Sequence, residues 1–283
     1  MNVLIVGNSE RSESADVAAR AVRWLVAHGH RPMAVAADAA MLHPDNIEIV
    51  DSVGEVDDLG LVVSIGGDGT MLRAVTLLDG VPAPVLGVNV GLLGYLAEVE
   101  PSNLETALSR FFAHNVEIER RLVLDVVART ASGSRQWRSL NEASLEKQHA
   151  GQTVRLRLHI DGVPFTTYQA DGILVATPTG STAYSMSARG PVISPGHEAI
   201  LITPLAPHML FDRSLVLRAD EAVEVEVVGQ RPVGLTVDGQ EALSLQPGDT
   251  VSCSASDRPA LFVRLESRRF HQTLKAKFGL SDR

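Results

Sequence analysis

The chain has 283 residues, of which 45% are hydrophobic and 21% are charged, so it can bury the core of one large domain or two modest ones. Its formal net charge is −9 and its sequence pI is about 5.5, which argues against a general nucleic-acid binder, because such proteins carry a basic surface. An anionic ligand would therefore need a local cluster of N–H groups and arginines.

The cysteine content and the N-terminus indicate a compartment. The single cysteine, Cys253, excludes an intrachain disulfide and fits a reducing environment, where we expect it to be a small strand residue. Residues Met1 to Gly7 lack the basic and apolar regions of a signal peptide, and no apolar run approaches the ~18 residues of a membrane span. We expect a cytoplasmic protein with no membrane partner.

Up to about Glu100, short apolar runs alternate with helical patterns, which is typical of a parallel sheet covered by helices. The predicted elements are, in chain order, strand Val3–Val6, helix Ser14–His28, strand Met33–Ala37, strand Leu61–Ile65, a helix after Thr70 and strand Val85–Val88. Ser102 and Glu105 have the spacing of a capping box and predict a helix through about Ala113.

The loop after the strand Leu61–Ile65 combines three glycines, Gly66, Gly67 and Gly69, with Asp68. Glycines let backbone N–H groups approach an anion, and the following helix N-terminus also favours negative charge. A carboxylate there repels an anion unless it does chemistry or holds a metal. The alternative is that Asp68 caps an ordinary turn between strand and helix. Neither the Walker spacing nor the Rossmann G-x-G-x-x-G spacing is present.

After about residue 115 the apolar period becomes two, which is typical of antiparallel strands. The predicted strands are Leu122–Ala128, Val154–Ile160, Ile173–Ala176, Val223–Val228, Leu235–Val237, Thr250–Ser254 and Leu261–Leu265. Asp161-Gly162 and Asp238-Gly239 predict hairpin turns. A last helix, Phe270–Phe278, carries apolar residues on one face and is expected to cover something. These patterns divide the chain into an α/β domain (1–115), a β-rich domain (116–268) and a C-terminal helical segment (269–283).

A second dense signal is the run from Asp171 to Ser187, in which a strand leads into a hydroxyl-rich segment with one aromatic residue, Tyr184. Hydroxyl groups and a ring suit a nucleoside, whereas the alternative is a solvated Ser/Thr loop. The nine histidines show neither H-E-x-x-H nor H-x₃-H spacing, so no transition-metal site built by the protein alone is expected.

Six blocks, in order, resemble the NAD kinase family across nearly the whole chain. They are Gly66-Gly67-Asp68-Gly69-Thr70, Gly91-Leu92-Leu93-Gly94-Tyr95-Leu96, Asn141-Glu142, the run from Asp171 to Pro191, Thr203-Pro204-Leu205-Ala206-Pro207-His208, and Val237-Asp238-Gly239-Gln240. The resemblance implies transfer of the γ-phosphoryl group of ATP, or of polyphosphate, to the adenosine 2′-hydroxyl of NAD with a divalent ion, Mg²⁺ or Mn²⁺. It implies a Rossmann-like α/β domain, a C-terminal antiparallel β-sandwich and a C-terminal helix that returns to the first domain. A homodimer or homotetramer is also implied.

The resemblance also implies residue roles. Asp68 matches the catalytic aspartate. We expect Mg²⁺ to be held mainly by ATP phosphates, with Asp68 as a candidate ligand whose share in metal binding and proton transfer the sequence leaves open. The phosphate loop is Gly66, Gly67, Gly69 and Thr70. The residues implied to bind NAD are Asp68, Gly69, Arg73, Tyr95, Asn141, Glu142, Asp171, Thr182, Ala183, Tyr184, Ser185, Ser187 and Gln240.

The chain departs from the family pattern at Tyr95, where Phe is usual, and at Gln169, where a basic residue is common. Two other functions stay open at this point. One is a lipid or small-molecule kinase that shares the glycine-aspartate loop, which would leave the Asp171 to Pro191 block without a role. The other is a dinucleotide sensor without catalysis, against which the intact Asp68 argues.

Overall fold

The computed structural model describes residues 1–7, 12–42, 47–91, 94–265 and 270–280. Leu92 and Leu93 of the glycine-leucine block, and residue 269 with 281–283 of the C-terminal segment, lie outside the described residues. The chain divides into two compact units. The first comprises Met1–Arg120 and Ala260–Arg283, and the second comprises Arg121–Pro259.

The first unit begins with alternating strands and helices. Its strands are β1 (Asn2–Gly7), β2 (Arg31–Val35), β3 (Glu48–Val50), β4 (Leu59–Gly66), β5 (Val85–Asn89) and β6 (Glu117–Arg121), and its helices are α1 (Ser12–Ala27), α2 (Ala36–Leu42), α3 (Asp68–Leu78) and α4 (Leu104–Phe112). Strands β1 to β5 pair in parallel. Strands β1, β4 and β5 are buried almost throughout, as expected for a sheet covered on both faces.

The second unit is a β-sandwich. Its strands are β7 (Leu124–Thr130), β8 (Gly133–Ser139), β9 (Glu142–Lys147), β10 (Val154–Ile160), β11 (Val163–Ala170), β12 (Gly172–Ala176), β13 (Ala199–Leu205), β14 (Leu215–Arg218), β15 (Val223–Val227), β16 (Val233–Val237), β17 (Gln240–Leu245) and β18 (Thr250–Ala255), with one short helix, α5 (Tyr184–Ser187). They form two six-stranded sheets, ordered β11-β10-β15-β18-β7-β8 and β14-β13-β12-β9-β16-β17. One apolar core, which includes Leu156 and Val225 of the first sheet and Ile173 and Leu235 of the second, fills the space between them.

The chain then returns to the first unit through β19 (Ala260–Arg264) and α6 (Phe270–Phe278). The seven-stranded sheet has the order β3-β2-β1-β4-β5-β19-β6. The strand pattern at Leu261–Leu265 had placed this segment in the β-rich half, but β19 lies beside β5 instead. An alternating apolar pattern shows that one face of a strand is buried, but it does not show which sheet the strand joins. The sequence alone therefore could not assign Leu261–Leu265 to the first unit.

Two turn predictions are confirmed and one helix start is wrong. Asp161-Gly162 and Asp238-Gly239 both have positive φ at both residues, as the predicted hairpins require. The capping box does not form, because α4 starts after a 3₁₀ turn at Pro101–Asn103, and Glu105 pairs with Arg20 at 2.7 Å.

The strand order locates a ligand site in the first unit. From β1 the chain first moves outward through β2 and β3 and then to the other side through β4 and β5, so the order reverses between β1 and β4. At such a switch point, ligands bind beyond the carboxyl ends of the strands. Gly7 and Ile65 are register partners there, and the glycine-aspartate loop follows directly.

Candidate active site

Asp68 is the first residue of α3, immediately beyond the end of β4. The N-cap of this helix is Gly67, which makes no side-chain cap bond, so the interpretation of Asp68 as an ordinary N-cap is wrong. Its carboxylate is instead held by a distant loop. The Tyr95 N–H donates to Oδ2 at 2.8 Å, and the Leu96 N–H donates to Oδ1 at 2.9 Å. These two contacts fix the direction of the carboxylate, and both are made by backbone groups.

Gly94 allows this contact to form. A Cβ atom built on Gly94 would lie 2.1 Å from Oδ1 and 2.8 Å from Cγ of Asp68, which is far inside van der Waals contact. Any side chain at this position would force the loop or the carboxylate to shift, so glycine permits the observed close approach.

The loop glycines behave differently. Gly67 has φ −109°, a backbone conformation that other residues also adopt. A Cβ atom on Gly67 or Gly69 would meet no atom of the described residues within 4 Å. The protein's own packing does not require glycine at either residue, and space stays open beside the helix N-terminus. Gly66 ends β4, and the buried Thr70 lies in the first turn of α3, where its N–H donates to the Gly67 carbonyl at 3.0 Å.

Arg73 lies one turn further along α3, where its guanidinium is bound within the protein. Its two terminal nitrogens each donate to the carboxylate of Asp38 at 2.8 Å, and one also donates to the Gly7 carbonyl at 3.0 Å. The Asp38 side chain is almost fully buried. This bidentate pair ties α3 to α2 and to the end of β1, so the predicted contact of Arg73 with NAD stays a prediction.

In the second unit, Asp238 organises the turn that carries Asn141 and Glu142. Its Oδ1 accepts from the Ser139 hydroxyl at 2.7 Å and from the N–H groups of Asn141 and Glu142 at 2.8 and 3.1 Å, and its Oδ2 accepts from the Leu140 N–H at 2.8 Å. The sequence identified Asp238 only as a hairpin residue. Its acceptor role was missed because its partners lie almost a hundred residues earlier in the chain.

Glu142 is 7% exposed and faces other acids. Burial, followed by the charge of Asp238, raises the pKa of Glu142 to about 7. Its Oε2 atom has no hydrogen-bond partner among the described residues. A carboxyl group in these surroundings holds its proton far more readily than one in water.

Two further predicted residues are engaged by neighbours on β9. The Tyr184 hydroxyl donates to Glu146 Oε2 at 2.9 Å, and burial together with this bond raises the pKa of Tyr184 to about 12. The Asp171 carboxylate pairs with Lys147 Nζ at 2.7 Å. No motif in the sequence marked Glu146 or Lys147. Tyr184, Glu142 and Asp171 are thus connected through one strand.

The hydroxyl-rich segment is partly buried, so the solvated-loop alternative is wrong for its inner face. Thr177, Thr179, Ser181 and Ser185 are all 5% exposed or less. The Ser185 and Thr203 hydroxyls are 3.1 Å apart, and the Thr182 hydroxyl donates to the Thr179 carbonyl at 3.3 Å. The remaining predicted residues lie nearer the surface: Ala183 is half-buried, whereas Ser187 and Gln240 are exposed.

Cys253 is a buried residue of β18, as expected, and burial raises the pKa of its thiol to about 12.

Within the described ranges, no group of three or more His, Cys, Asp or Glu side chains is arranged to hold a metal ion. In the same part of the chain, no helix is long and apolar enough to cross a membrane.

A fixed carboxylate at the switch point of a doubly wound sheet, beside an open glycine loop, defines a nucleotide-binding enzyme of the α/β class. Comparisons with known proteins narrow this class. The family model of the ATP-NAD kinase N-terminal domain matches residues 3–116, and that of the ATP-NAD kinase C-terminal domain matches residues 140–265. The chain belongs to the NAD kinase family.

Individual relatives agree. The NAD kinase of Leifsonia xyli subsp. xyli is 39% identical over 98% of this chain and 94% of its own, and that of Acidobacterium capsulatum is 33% identical over 99% of both. The structure of an Archaeoglobus fulgidus NAD kinase in complex with ATP matches 98% of this chain and 99% of that one, at 25% identity and a TM-score of 0.74. Yeast NADH kinase complexed with NADH matches with a TM-score of 0.92 over 100% of this chain and 89% of that one, and at 24% identity it shows the fold.

Proposed function

We propose that this protein transfers the γ-phosphoryl group of ATP to the adenosine 2′-hydroxyl of NAD, giving NADP and ADP, with Asp68 as the general base. The observation that carries the assignment of Asp68 is its carboxylate at the switch point, aimed by the N–H groups of Tyr95 and Leu96. A carboxylate offers about four acceptor positions, so two fixed bonds leave room for a substrate hydroxyl.

The geometry suits the demands of phosphoryl transfer. This reaction passes through a loose transition state, so positioning and charge neutralisation matter more than a strong base. Asp68 accepts the proton of the 2′-hydroxyl as the new oxygen–phosphorus bond forms. The N–H groups of Asp68 and Gly69, which precede the first hydrogen-bonded turn of α3, together with the loop N–H groups stabilise negative charge on the transferring group.

The second unit supplies the proposed dinucleotide residues. Asn141 and Glu142 stand on the turn held by Asp238 and bind the adenosine part of NAD. Asp171 contacts the dinucleotide, the segment from Thr182 to Ser187 lines its pocket with Tyr184 as the ring, and Gln240 closes another side. In the first unit, considered by itself, the proposed NAD-binding residues are Asp68, Gly69, Arg73 and Tyr95.

A divalent ion, Mg²⁺ or Mn²⁺, is proposed as a partner of the donor phosphates. Mg²⁺ usually takes one or two carboxylates plus phosphate oxygens and waters, and the acceptor positions left on Asp68 fit one such contact. When bound, the ion neutralises phosphate charge. ATP is the proposed donor because an NAD kinase of 25% identity was solved in complex with ATP, and polyphosphate is the alternative donor.

A lipid or small-molecule kinase and a dinucleotide sensor are both disfavoured. Family models of NAD kinase match both halves of the chain. A lipid or small-molecule kinase would leave the Asp171 to Pro191 block without a role, and the intact Asp68 argues against a sensor without catalysis. We also propose a cytoplasmic location, supported by the lone buried cysteine, and a homodimer or homotetramer. Exposed apolar residues on the sandwich edges, Val163 and Phe165 on β11 and Val216 on β14, support self-association.

The test is NADP formation by the purified chain with NAD, ATP and Mg²⁺, beside the variants Asp68→Asn and Asp79→Asn. Asp79 is the matched control, because it ends the same helix in a left-handed conformation that asparagine also adopts. We expect Asp68→Asn to lower turnover by about two to four orders of magnitude, as for loss of a general base, while NAD binding measured by calorimetry persists.

In Asp68→Asn, an NH₂ group faces one of the two loop N–H groups, and two donors cannot form a hydrogen bond. The melting temperature of each variant is therefore measured as well, to separate a loss of stability from a loss of catalysis. Turnover of Asp68→Asn within about threefold of wild type would refute the catalytic assignment, since that is far below a general-base loss. Absence of NADP formation by the wild type would refute the proposed reaction itself.

A further inference from the structure

The C-terminal helix places a cation at the catalytic loop. The Lys277 ammonium lies 3.8 Å from the centroid of the Tyr95 ring, well within the range of a cation–π contact. Lys277 is in the last turn of α6, which belongs to the same unit as Tyr95. The contact therefore joins the end of the chain to the loop that closes over Asp68.

Tyr95 links this cation to the carboxylate. Its backbone N–H donates to Asp68 Oδ2, and its ring carries Lys277 on one face. Burial, followed by the charge of Asp68, raises the pKa of the Tyr95 phenol, so the phenol stays neutral. One residue thus contacts both the base that accepts the proton and a positive charge.

The arginines of this region are already committed to carboxylates. Both terminal nitrogens of Arg73 are bound to Asp38, and Arg264 is bound to Glu98 and Glu119. Lys277, in contrast, has no carboxylate partner within residues 1–7, 12–42, 47–91, 94–265 and 270–280. Its ammonium keeps its donors available.

A cation beside the glycine loop would offset the repulsion between Asp68 and a bound phosphate chain. A chain of phosphates brings several negative charges next to Asp68, and the carboxylate repels them. The glycine loop offers N–H dipoles but no positive side chain of its own. An ammonium on a flexible stem is well suited to a phosphate chain, because it is a compact charge with three rotatable donors.

We propose that Lys277 is a phosphate-binding residue of the donor site, held in place by the Tyr95 ring and contacting the polyphosphate chain of the phosphoryl donor. This inference rests on the proposed function and assigns to α6 a role beyond covering the first unit. It also explains why a helix with no buried residue lies against the catalytic loop.

The kinetic test compares Lys277→Gln, Lys277→Arg and Lys275→Gln in the full chain. Lys275→Gln removes the same charge from the same helix and is the matched control. We expect Lys277→Gln to raise the KM for ATP about tenfold, the usual effect of losing a hydrogen bond to a charged group, with the KM for NAD unchanged. Lys277→Arg should restore most of the affinity, and Lys275→Gln should leave both constants near those of wild type.

A merely structural lysine would behave differently. If Lys277 only fastens α6 to the loop, Lys277→Gln would lower kcat and the melting temperature together and leave the KM for ATP unchanged. That result would overturn the proposal, as would a variant with all constants equal to those of wild type.

Calorimetry with inorganic tripolyphosphate tests the site without turnover. Binding to wild type that weakens about tenfold in Lys277→Gln but not in Lys275→Gln supports the proposal, and equal binding by all three proteins, or by none, overturns it. A parallel titration with ATP distinguishes the two donors. If the protein forms no NADP but binds tripolyphosphate through Lys277, the proposed reaction is refuted while the proposed phosphate site is supported.

Discussion

Two aspartates in this protein are held by backbone N–H groups from distant segments, one in each unit, and they differ in how far their acceptor capacity is used. Asp238 accepts four hydrogen bonds, from one hydroxyl and three N–H groups. Among the described residues, Asp68 accepts two, one on each oxygen. Because a carboxylate offers about four acceptor positions, Asp238 uses nearly all of its capacity, whereas Asp68 uses about half within the part of the chain that the structure describes.

We interpret this difference as that between an aspartate that stabilises the fold and one that is available to a ligand. A saturated carboxylate fixes the backbone around it and has no capacity left for a ligand. A carboxylate with two directed bonds is equally well aimed but can still accept a proton or contact an ion. Sequence motifs contain both aspartates beside a glycine, at Asp68-Gly69 and Asp238-Gly239, so only their partners tell them apart.

Among variants that keep Asp68 itself, the largest expected effect comes from changing the direction of its carboxylate. Gly94→Ala puts a Cβ atom 2.1 Å from Oδ1, so the loop or the carboxylate must shift. We expect turnover to fall about a hundredfold, the usual cost of a misplacement near 1 Å. Gly54→Ala is the control, since its Cβ would meet its nearest neighbour at 3.7 Å. Equal NADP formation by both variants would show that the loop does not aim the carboxylate.

A second prediction tests whether Asp238 is purely structural. Asp238→Ala leaves three N–H groups and a hydroxyl without their acceptor, and we expect the free energy of unfolding in urea to fall by about 3 kcal/mol. The KM for NAD should rise, because Asn141 and Glu142 lose their support. Asp257→Ala removes a side chain that is 92% exposed and should change stability by less than about 0.5 kcal/mol. A stable Asp238→Ala protein would refute the structural role.

The smallest expected effect is on the pH dependence of stability, and it comes from Glu142. The pKa of Glu142 is raised from 4.5 to about 7, so between these values the folded state binds a proton that the unfolded state has released. Stability therefore decreases as pH rises through this window, by about 2 kcal/mol between pH 5 and 7, and is level above it. Asp238 contributes in the same direction, since burial raises its pKa too.

Glu142→Gln carries no titrating proton and should flatten this dependence. Urea unfolding at pH 5, 6, 7 and 8 measures the slope for wild type and for the variant. Parallel slopes in the two proteins would show that Glu142 titrates normally and that its neighbours do not hold its proton.

Strands with one face on the core and the other face away from it were predictable from the sequence. The alternation from Val154 to Ile160 matches β10 residue for residue, because one face of that strand packs on the sandwich core and the other does not. Glu117–Arg121 was missed as a strand, because its charged residues hide the alternation. The bounds of α6 were right, but its apolar face is not buried.

The candidate site was predictable in its residues more than in its contacts. Asp68 could be identified because the glycines and the carboxylate are adjacent in the chain. Its donors, Tyr95 and Leu96, are 27 and 28 residues away, and the ion pair of Arg73 with Asp38 spans 35. No local pattern encodes such pairs, since they depend on which strands become neighbours and not on periodicity.

The position of β19 has a consequence for synthesis of the chain. This strand lies between β5 and β6, although it is made after the whole sandwich. A nascent chain that has released only its first 120 residues can pair β5 with β4 but not yet with β19. Domains usually fold in the order in which they emerge. In this protein the sandwich can fold first, and the catalytic unit completes its sheet only when the last strand leaves the ribosome.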